Sequence, residues 1–553
     1  MNNIFDIIKT DLNEISKQLH LKKEPLLELN KNNINTHFST SIALINAKDK
    51  KMNPMELAES IKVILLAKSY YSEVEVAKPG FINIKLKCEF ISTILKNINT
   101  LKKMYGFNNK KNKLINLEFV SANPTGFLHV GHARNAVVGS ALEKILIADG
   151  YDTQTEYYIN DAGNQINILA VTVFVHYLWS FGIEAVKPEN SYGGTFYDDL
   201  AQIIKDKYGD KFVKIKYDET QILDEKTQDV FKNESVNYFL EEIKLQLKAF
   251  GVTFNYFSSE KEMYVTKDID KLFKELEKNN ATYKSEGALW LKSSKYGDDK
   301  DRVLIKTDGS LTYMVPDLAM HNSRLKRSKA DLLINVFGGD HHGYIARMRA
   351  GLELLGYNPN ILEIEIVQMV RVVKDGQEYK MSKRKGTAVW LVDIMEMVGK
   401  DALRYMLASK SSSSHMDLDL DLVQQKNATN PVYYAQYATA RCNSVLKQAK
   451  EKKVNPNYNE TSLLTNDKEL QLLLLLDSFN QVIAISAKNR APQIICEYIQ
   501  NISRQFHSYY SDNKIIDESN IKLSESRVGL VSVILQTLQN SFDLIGIQAL
   551  EKM

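Results

Sequence analysis

The sequence predicts a multidomain protein with an α+β N-terminal domain, an α/β core built on a parallel sheet, and an all-α C-terminal helix bundle. Three observations carry this prediction. The chain has 553 residues, more than one hydrophobic core usually supports. From residue 115 the pattern alternates strand, glycine-containing turn and helix, which is typical of parallel βαβ units. After about residue 400 the apolar residues keep helical spacing without a convincing alternating strand.

The N-terminal domain is predicted from helical spacing followed by two β signals. Residues 1 to about 70 are mostly helical in pattern, and strands are expected at 73–77 and, after Pro79-Gly80, at 81–86. The polar run 108–113 then separates this domain from the core. We place the domains at 1–110, at 111–395 with helical insertions at about 165–300, and at 396–553.

Composition and charge narrow the classes of function. Hydrophobic residues make up 44% and charged residues 25% of the chain, which excludes general disorder. The balance of 71 basic and 68 acidic groups excludes a histone-like polycation, so a polyanionic partner must bind local basic patches. The three cysteines are too scattered for a zinc site or a disulfide framework, and no tightly bound metal is expected. Without a signal peptide or a long apolar run, a cytoplasmic protein with no membrane partner is expected.

The most informative stretch is INLEFVSANPTGFLHVGHARNAVVGSALEKILIADG, residues 115–150. A strand at 115–120, a turn cluster and a helix from Ala133 onward would place His129, Gly131 and His132 at a helix N-terminus. Free backbone N–H groups and the helix dipole favour a phosphate there, and two imidazoles can donate hydrogen bonds to it. Gly131 would let a base or ribose approach the backbone closely. The alternative is a pair of histidines that cap an ordinary helix.

A second candidate site is the basic loop YKMSKRKG, residues 379–386, which follows a mostly apolar run. Lys380 and Lys383 on a glycine-ended loop could neutralise the β- and γ-oxygens of a polyphosphate in the transition state. The alternative for such a run, taken alone, is a solvated basic surface turn.

Together these motifs resemble the arginyl-tRNA synthetase family of class I aminoacyl-tRNA synthetases. SANPTGFLHVGHARNAVVGSAL and the following EYYINDAGNQI, residues 156–166, resemble its "HIGH" region, and YKMSKRKG is similar to its "KMSKS" signature. The resemblance implies a Rossmann-type catalytic core that activates L-arginine with ATP and transfers it to the 2′-hydroxyl of the terminal adenosine of tRNA(Arg). It also implies Mg²⁺ on the ATP, a monomer, and a need for bound tRNA before arginine is activated.

By the same resemblance, residues of this chain receive roles in catalysis and binding. His129, His132, Lys380 and Lys383 would be catalytic. The HIGH-type region comprises Ala122, Asn123, Pro124, Thr125, Gly126, Phe127, Leu128, His129, Val130, Gly131 and His132. ATP would be bound by Gly131, Asp340, Met369, Lys380, Ser382 and Lys383. Arginine would be bound by Ser121, Asn123, Tyr313, Asp317 and His341, the last standing where other members carry Gln.

Asp317 suits a guanidinium, because this planar fork of donors pairs with two carboxylate oxygens. The alternative is an ordinary acid in the first turn of a helix, neutralising the positive end of the helix dipole. Pro316 fits the first helical position, which would leave Tyr313 on the incoming strand, outside the helix.

The C-terminal third resembles the helical anticodon-binding domain of the family. DALRYMLAS at 401–409 and NPVYYAQYATAR at 430–441 carry this resemblance. Tyr433, Tyr434, Tyr437 and Arg441 could stack on unpaired tRNA bases, although core packing is the alternative for some of them. The first 110 residues resemble the family's N-terminal extension, which contacts the outer corner of tRNA. The rival hypotheses are a synthetase for another amino acid, a small nucleotidylyltransferase and a non-catalytic tRNA-binding relative.

Overall fold

A computed structural model of the protein describes residues 3–30, 36–339, 344–379, 389–459 and 462–553. Its N-terminal part packs helices on a four-stranded antiparallel sheet of order β1-β2-β4-β3. The two predicted strands are confirmed as β3 and β4, while the three-residue strands β1 and β2 were too short to show alternation. The elements are α1 (Ile4–Gln18), β1 (Leu27–Leu29), β2 (Phe38–Thr40), α2 (Ile42–Lys50), α3 (Pro54–Leu66), β3 (Tyr71–Ala77), β4 (Phe81–Leu86) and α4 (Cys88–Leu101).

The core begins with a βαβ unit, as predicted. It consists of β5 (Leu114–Glu118), α5 (Val130–Ala148) and β6 (Asp152–Ile159), and β5 pairs with β6 in parallel. The helix begins at Val130 rather than at Ala133. The alternation of strand and helix also continues, so that a five-stranded sheet of order β12-β11-β5-β6-β7 forms, with every neighbouring pair parallel.

The predicted insertion at about 165–300 is mostly helical, but a strand of the main sheet and part of a small antiparallel sheet interrupt it. Helices α6 (Asn164–Ser180), α7 (Phe196–Tyr208) and α8 (Glu225–Ala249) precede β7 (Tyr256–Ser259), the four-residue edge strand of the main sheet. A small antiparallel sheet follows. Its elements and the helices beside it are α9 (Glu260–Val265), α10 (Asp268–Lys278), β8 (Thr282–Ser285), β9 (Ala288–Leu291) and β10 (Arg302–Ile305).

The second half of the core supplies the interior strand β11 and the edge strand β12 of the main sheet, and a small side sheet. Its elements are α11 (Met314–Ser328), β11 (Leu332–Gly338), α12 (Tyr344–Leu354), β12 (Leu362–Val367), β13 (Val370–Lys374) and β14 (Gln377–Glu378). The prediction that Pro316 occupies the first helical position is wrong. Helix α11 begins at Met314 with Tyr313 as its N-cap residue, so Tyr313 does not lie on a strand either. The first four N–H groups of a helix have no intrahelical partner, so the third position also accepts proline.

The C-terminal part is a helix bundle, as predicted, apart from one missed strand. The four-residue β15 pairs in parallel with β13, so a strand does occur beyond residue 400. The elements are α13 (Leu391–Val398), α14 (Lys400–Ala408), β15 (Met416–Asp419), α15 (Leu420–Gln424), α16 (Pro431–Glu451), α17 (Asp467–Asp477), α18 (Phe479–Lys488), α19 (Gln493–Asp512) and α20 (Ile521–Ile545).

Helix α20 is the one helix of the described ranges that is long and apolar enough to cross a membrane by itself. Its most apolar window is 78% buried inside the protein, which is the behaviour of a core helix.

Candidate active site

The turn from β5 into α5 forms the first half of the site. His129 is the N-cap residue of α5, and its Nδ1 accepts a hydrogen bond from the Gly131 N–H at 3.0 Å. Nδ1 of His132 accepts from the His129 N–H at 3.3 Å, and the two rings stack with centroids 3.7 Å apart. The imidazoles therefore cap the helix, and they also form a pair at its positive end.

Burial decides the charge of both rings, and these hydrogen bonds decide which nitrogen carries the proton. Burial lowers the pKa of His129, and burial followed by the charge of His129 lowers the pKa of His132 to about 3. Both imidazoles are neutral at pH 7, and because each Nδ1 accepts, each proton lies on Nε2. The pair presents two N–H donors on the atoms that the helix does not use. In each ring, Nδ1 caps the helix, as the alternative required, and Nε2 carries the donor that the functional hypothesis required.

Gly131 has a local reason to be glycine. A Cβ on this residue would lie 2.9 Å from Cε1 and 3.1 Å from Nδ1 of His129. A side chain at this position would therefore collide with the imidazole ring.

The segment after the basic loop is bonded directly to the histidine turn. The Val130 N–H donates to the Val389 carbonyl at 3.0 Å, and the Leu391 N–H donates to the Leu128 carbonyl at 2.7 Å. On the other side of the loop, the Tyr379 N–H donates to the Val372 carbonyl of β13 at 2.8 Å. Lys380, Ser382 and Lys383 lie outside the described residues, as do Asp340 and His341.

The rest of the HIGH-type region packs on the helices of the 164–249 segment. The Phe127 ring stacks on Phe196 at 4.7 Å, the Tyr197 hydroxyl donates to the Thr125 carbonyl, and the Leu128 N–H donates to the Gln246 side chain at 3.0 Å. Of the other residues of the HIGH-type region, Ala122 and Pro124 are buried and Gly126 is half-buried.

Val120 and Ser121 adopt positive φ angles of 67° and 39° just after β5. Such a conformation is strained for a β-branched residue. It turns the Ser121 hydroxyl so that it donates to Glu118 at 3.0 Å and accepts from the Tyr158 N–H at 3.1 Å. Asn123 Nδ2 donates to Gln165 at 2.7 Å. Ser121 and Asn123, two of the predicted arginine-binding residues, thus lie at this turn, and their side chains are hydrogen-bonded within the protein.

A cluster of carboxylates forms the second half of the site. Burial, and after it the charges of Glu118 and Glu260, raise the pKa of Asp317 to about 7. Burial also raises the pKa values of Glu118 and Glu260. The Tyr344 hydroxyl donates to Asp317, and the Tyr158 hydroxyl donates to Glu260. A buried carboxyl group whose pKa is raised by neighbouring carboxylates favours a cation beside it.

Sequence reasoning missed the roles of Glu118, Glu260, Tyr158 and Tyr344, although Glu118 carried a signal. It is a charged residue at the end of an otherwise apolar strand, and charged residues are rarely buried without a partner. The partner is the fully buried Arg324, whose guanidinium donates to Glu118 at 2.6 Å and to the Asn335 side chain at 2.8 Å.

Two of the residues predicted to bind arginine or ATP, Tyr313 and Met369, are largely exposed. The Tyr313 side chain is 92% exposed, so in this conformation the ring is not buried against Asp317. Met369 is 73% exposed, and its carbonyl accepts from the Met416 N–H at 3.3 Å. A carbonyl already engaged within the protein is less available to adenine.

The predicted RNA-binding residues do come together, on the surface of α16. Tyr433 and Tyr437 stack at 6.2 Å, and the Arg441 guanidinium lies 4.6 Å from the Tyr437 ring. Tyr434 and the missed His507 of α19 complete a pocket of about 270 Å³. We call this set the tyrosine surface. Thr439, on the other side of the helix, is buried, and its hydroxyl donates to the Leu550 carbonyl at 3.0 Å.

Comparison with known families covers nearly the whole chain. Residues 93–446 match the model for the catalytic domain of class I (R) tRNA synthetases. Residues 2–86 match the arginyl tRNA synthetase N-terminal domain, and residues 435–553 match the DALR anticodon binding domain. The parallel sheet, the histidine turn and the helical C-terminal domain are therefore those of a class I aminoacyl-tRNA synthetase.

Individual relatives narrow this class. The chain is 67% identical to an arginine–tRNA ligase of Mesoplasma florum over 100% of both chains, and 41% identical to one of Bacillus pumilus over 96% of this chain and 94% of the relative. The structure of Thermus thermophilus arginyl-tRNA synthetase superposes with a TM-score of 0.76 over 100% of both chains, at 20% identity, which shows the shared fold. The chain belongs to the arginine–tRNA ligase family.

Proposed function

We propose that the protein attaches L-arginine to tRNA(Arg) in two displacement steps. In the first, a carboxylate oxygen of arginine attacks the α-phosphorus of ATP, the bond from this phosphorus to the bridging oxygen breaks, and pyrophosphate leaves. In the second, the 2′-hydroxyl of the terminal tRNA adenosine attacks the carbonyl carbon of arginyl-adenylate, and AMP leaves. Neither step needs a covalent enzyme intermediate, so the protein contributes positioning and electrostatic stabilisation.

The imidazole pair is suited to the first step. Negative charge builds on the α-phosphate oxygens during attack, and the Nε2–H groups of His129 and His132 are two neutral donors at a helix N-terminus. We assign the pyrophosphate to Lys380 and Lys383, the nucleotide to Gly131, Asp340, Met369 and Ser382, and arginine to Ser121, Asn123, Tyr313, Asp317 and His341. Within the described ranges no cluster of three or more His, Cys, Asp or Glu residues could hold a metal ion, so we assign Mg²⁺ to the triphosphate.

The observation that carries the choice of amino acid is the carboxylate cluster. Burial raises the pKa values of Asp317, Glu118 and Glu260, and the charges of Glu118 and Glu260 raise that of Asp317 further. A guanidinium beside Asp317 would relieve this repulsion while it pairs with carboxylate oxygens. Lysine offers a single point charge, and glutamine offers none. Loss of a buried ion pair discriminates between substrates by roughly 10⁴–10⁵-fold, so no editing site is required.

For tRNA we propose three contacts. The tyrosine surface would stack on unpaired bases of the anticodon loop, the N-terminal domain would contact the outer corner, and the strand-end edge of the core would receive the acceptor end. The rest of the proposal follows the family: a cytoplasmic monomer in which bound tRNA precedes arginine activation.

Charging of tRNA(Arg) with radiolabelled arginine, compared with lysine and glutamine, tests the proposal. Arginine should be attached, and the other two should not. Asp317→Ala should abolish arginine use while ATP binding remains, and Asp308→Ala, which removes an exposed acid of the same region, is the matched control. Charging with lysine or glutamine but not arginine, or near-normal arginine affinity in Asp317→Ala, would refute the assignment.

ATP–pyrophosphate exchange tests the order of binding. We expect exchange only when tRNA is present. Exchange at the full rate without tRNA would show that arginine activation does not depend on the RNA.

A further inference from the structure

Helix α5 carries a fully buried arginine that none of the roles above uses. Nη1 of Arg134 donates to the carbonyls of Gln368 and Ser414, each at 2.8 Å, and Nη2 donates to the Ser411 carbonyl at 2.7 Å. Its Nε is buried and has no hydrogen-bond partner in the described part of the chain. A guanidinium with three backbone acceptors spans two separate segments in one rigid fork.

One of the two segments leads into Met369 and the basic loop, to which we assign the nucleotide and the pyrophosphate. Gln368 follows β12 and directly precedes Met369 and β13, the strand that leads to the basic loop. Ser411 and Ser414 belong to the turn that leads into β15, the parallel partner of β13. The Gln368 N–H also donates to the Ser412 carbonyl at 2.8 Å. Arg134 thus joins α5, which carries the imidazole pair at its start, to the two segments that lead into β13 and β15.

Within the described ranges, the charge of Arg134 has no anionic partner. Burial is the only cause that lowers its pKa, to about 10, so the guanidinium stays protonated at neutral pH. No carboxylate pairs with it among the residues that the structure describes. Burial of an unpaired cation is costly, and simple packing would be achieved better by an apolar side chain.

We propose that Arg134 is a positioning residue for ATP activation, which fixes the 368–374 segment and the serine turn 411–414 relative to the imidazole pair. The inference rests on the proposed function of His129 and His132. Arg134 does not contact the carboxylate cluster, so a change at this position should affect the ATP step and leave recognition of arginine intact.

Arg404 provides a matched comparison within the same chain. It is also fully buried, and its guanidinium donates to the carbonyls of Ile545 and Phe250 and to the Ser140 hydroxyl at 2.9–3.1 Å. Burial lowers its pKa to about 10 as well. Arg404 joins α14 and α20 to the far part of α5, away from the imidazole pair, so its loss should cost stability only.

The test compares Arg134→Lys with Arg404→Lys in aminoacylation of tRNA(Arg), with KM measured separately for ATP, arginine and tRNA, and with Tm for each variant. Lysine keeps the charge but loses the fork. We expect kcat/KM for ATP to fall about 10- to 100-fold in Arg134→Lys, as expected for a small misplacement of reacting groups. The KM for arginine should stay unchanged, and Arg404→Lys should lower Tm without this selective effect.

A second pair of variants covers the case in which Arg134→Lys does not fold. Ser414→Gly loosens the backbone of an acceptor carbonyl, whereas Ser409→Gly loosens the residue after α14, whose carbonyl Arg134 does not contact. Only Ser414→Gly should raise the KM for ATP.

Three results would overturn the inference. These are normal ATP kinetics in a folded Arg134→Lys, parallel losses for ATP and arginine in both arginine variants, and equal effects of the two glycine variants. Failure of the wild-type protein to charge tRNA(Arg) would instead refute the proposed function itself, so the two failures are distinguishable.

Discussion

If Asp317 binds the guanidinium as proposed, its raised pKa should make arginine binding depend on pH near neutrality. Burial and the charges of Glu118 and Glu260 raise this pKa to about 7, against the lowering effects of the Tyr344 hydroxyl and Arg347. Only the ionised carboxylate forms an ion pair with a guanidinium, which itself stays protonated throughout this range. Arginine should therefore bind more tightly as the pH rises through about 7.

The magnitude follows from the pKa. A carboxyl with a pKa near 7 is about one-tenth ionised at pH 6 and about nine-tenths ionised at pH 8, so the affinity should rise about tenfold, or 1.4 kcal/mol. The same titration changes the folding stability of the free protein in the opposite direction. The folded chain holds this proton more tightly than the unfolded chain between about pH 4 and 7, so free protein loses stability as the pH rises through that window. Bound arginine should lower the pKa of Asp317 and so reverse this loss of stability.

Isothermal titration calorimetry of arginine at pH 6 and pH 8 measures this effect. Buffers with different ionisation enthalpies should reveal the release of nearly one proton per arginine at pH 6. In Asp317→Asn the affinity should be low and independent of pH, which identifies the group that titrates. An affinity for the unmodified protein that is constant, or that falls as the pH rises, would refute the account of the carboxylate cluster.

Three further changes test other parts of the structure. Gly131→Ala would push its Cβ into the His129 ring, so kcat should fall by about 10²-fold in aminoacylation assays with little change in Tm; normal activity would contradict the imidazole assignment. Tyr437→Ala should weaken tRNA binding by about 1–3 kcal/mol in filter-binding assays at fixed salt, and an unchanged Kd would exclude base stacking there. Arg324→Met should lower the free energy of unfolding by about 3–5 kcal/mol in urea titrations, because Glu118 would remain buried without its partner.

The parts of the site that lie on one continuous motif could be predicted from the sequence. The strand, turn and helix of 114–148 were expected, and only the start of α5 was misplaced. Its N-cap is His129, whereas the residues that usually signal a helix start are Ser, Thr, Asp and Asn. The tyrosine surface was equally accessible, because Tyr433, Tyr437 and Arg441 follow one another at four-residue spacing on a single helix face.

The carboxylate cluster could not be predicted in the same way. Glu118 and Asp317 lie on elements that are separated by almost two hundred residues, and Glu260 comes from a third element, at the start of α9. Only the order of strands in the sheet brings these elements to one edge. Single carboxylates have unremarkable patterns in sequence, and their chemical meaning appears when their pKa values rise together.

The strained turn after β5 is supported by the sheet rather than by a ligand. Positive φ angles at non-glycine residues cost about 1–3 kcal/mol each, and Val120 and Ser121 are adjacent. The Asn135 side chain accepts from the Val120 N–H at 2.7 Å and donates to the Val336 carbonyl of β11 at 2.8 Å, so one amide bonds the turn to the sheet from within α5. The histidine turn is thus held by contacts within the protein, whereas the charges of Glu118 and Glu260 act on Asp317, whose pKa is raised. On the proposed assignments, we therefore expect ATP chemistry to depend on preorganised geometry, and selectivity for arginine to depend on electrostatics that the substrate itself completes.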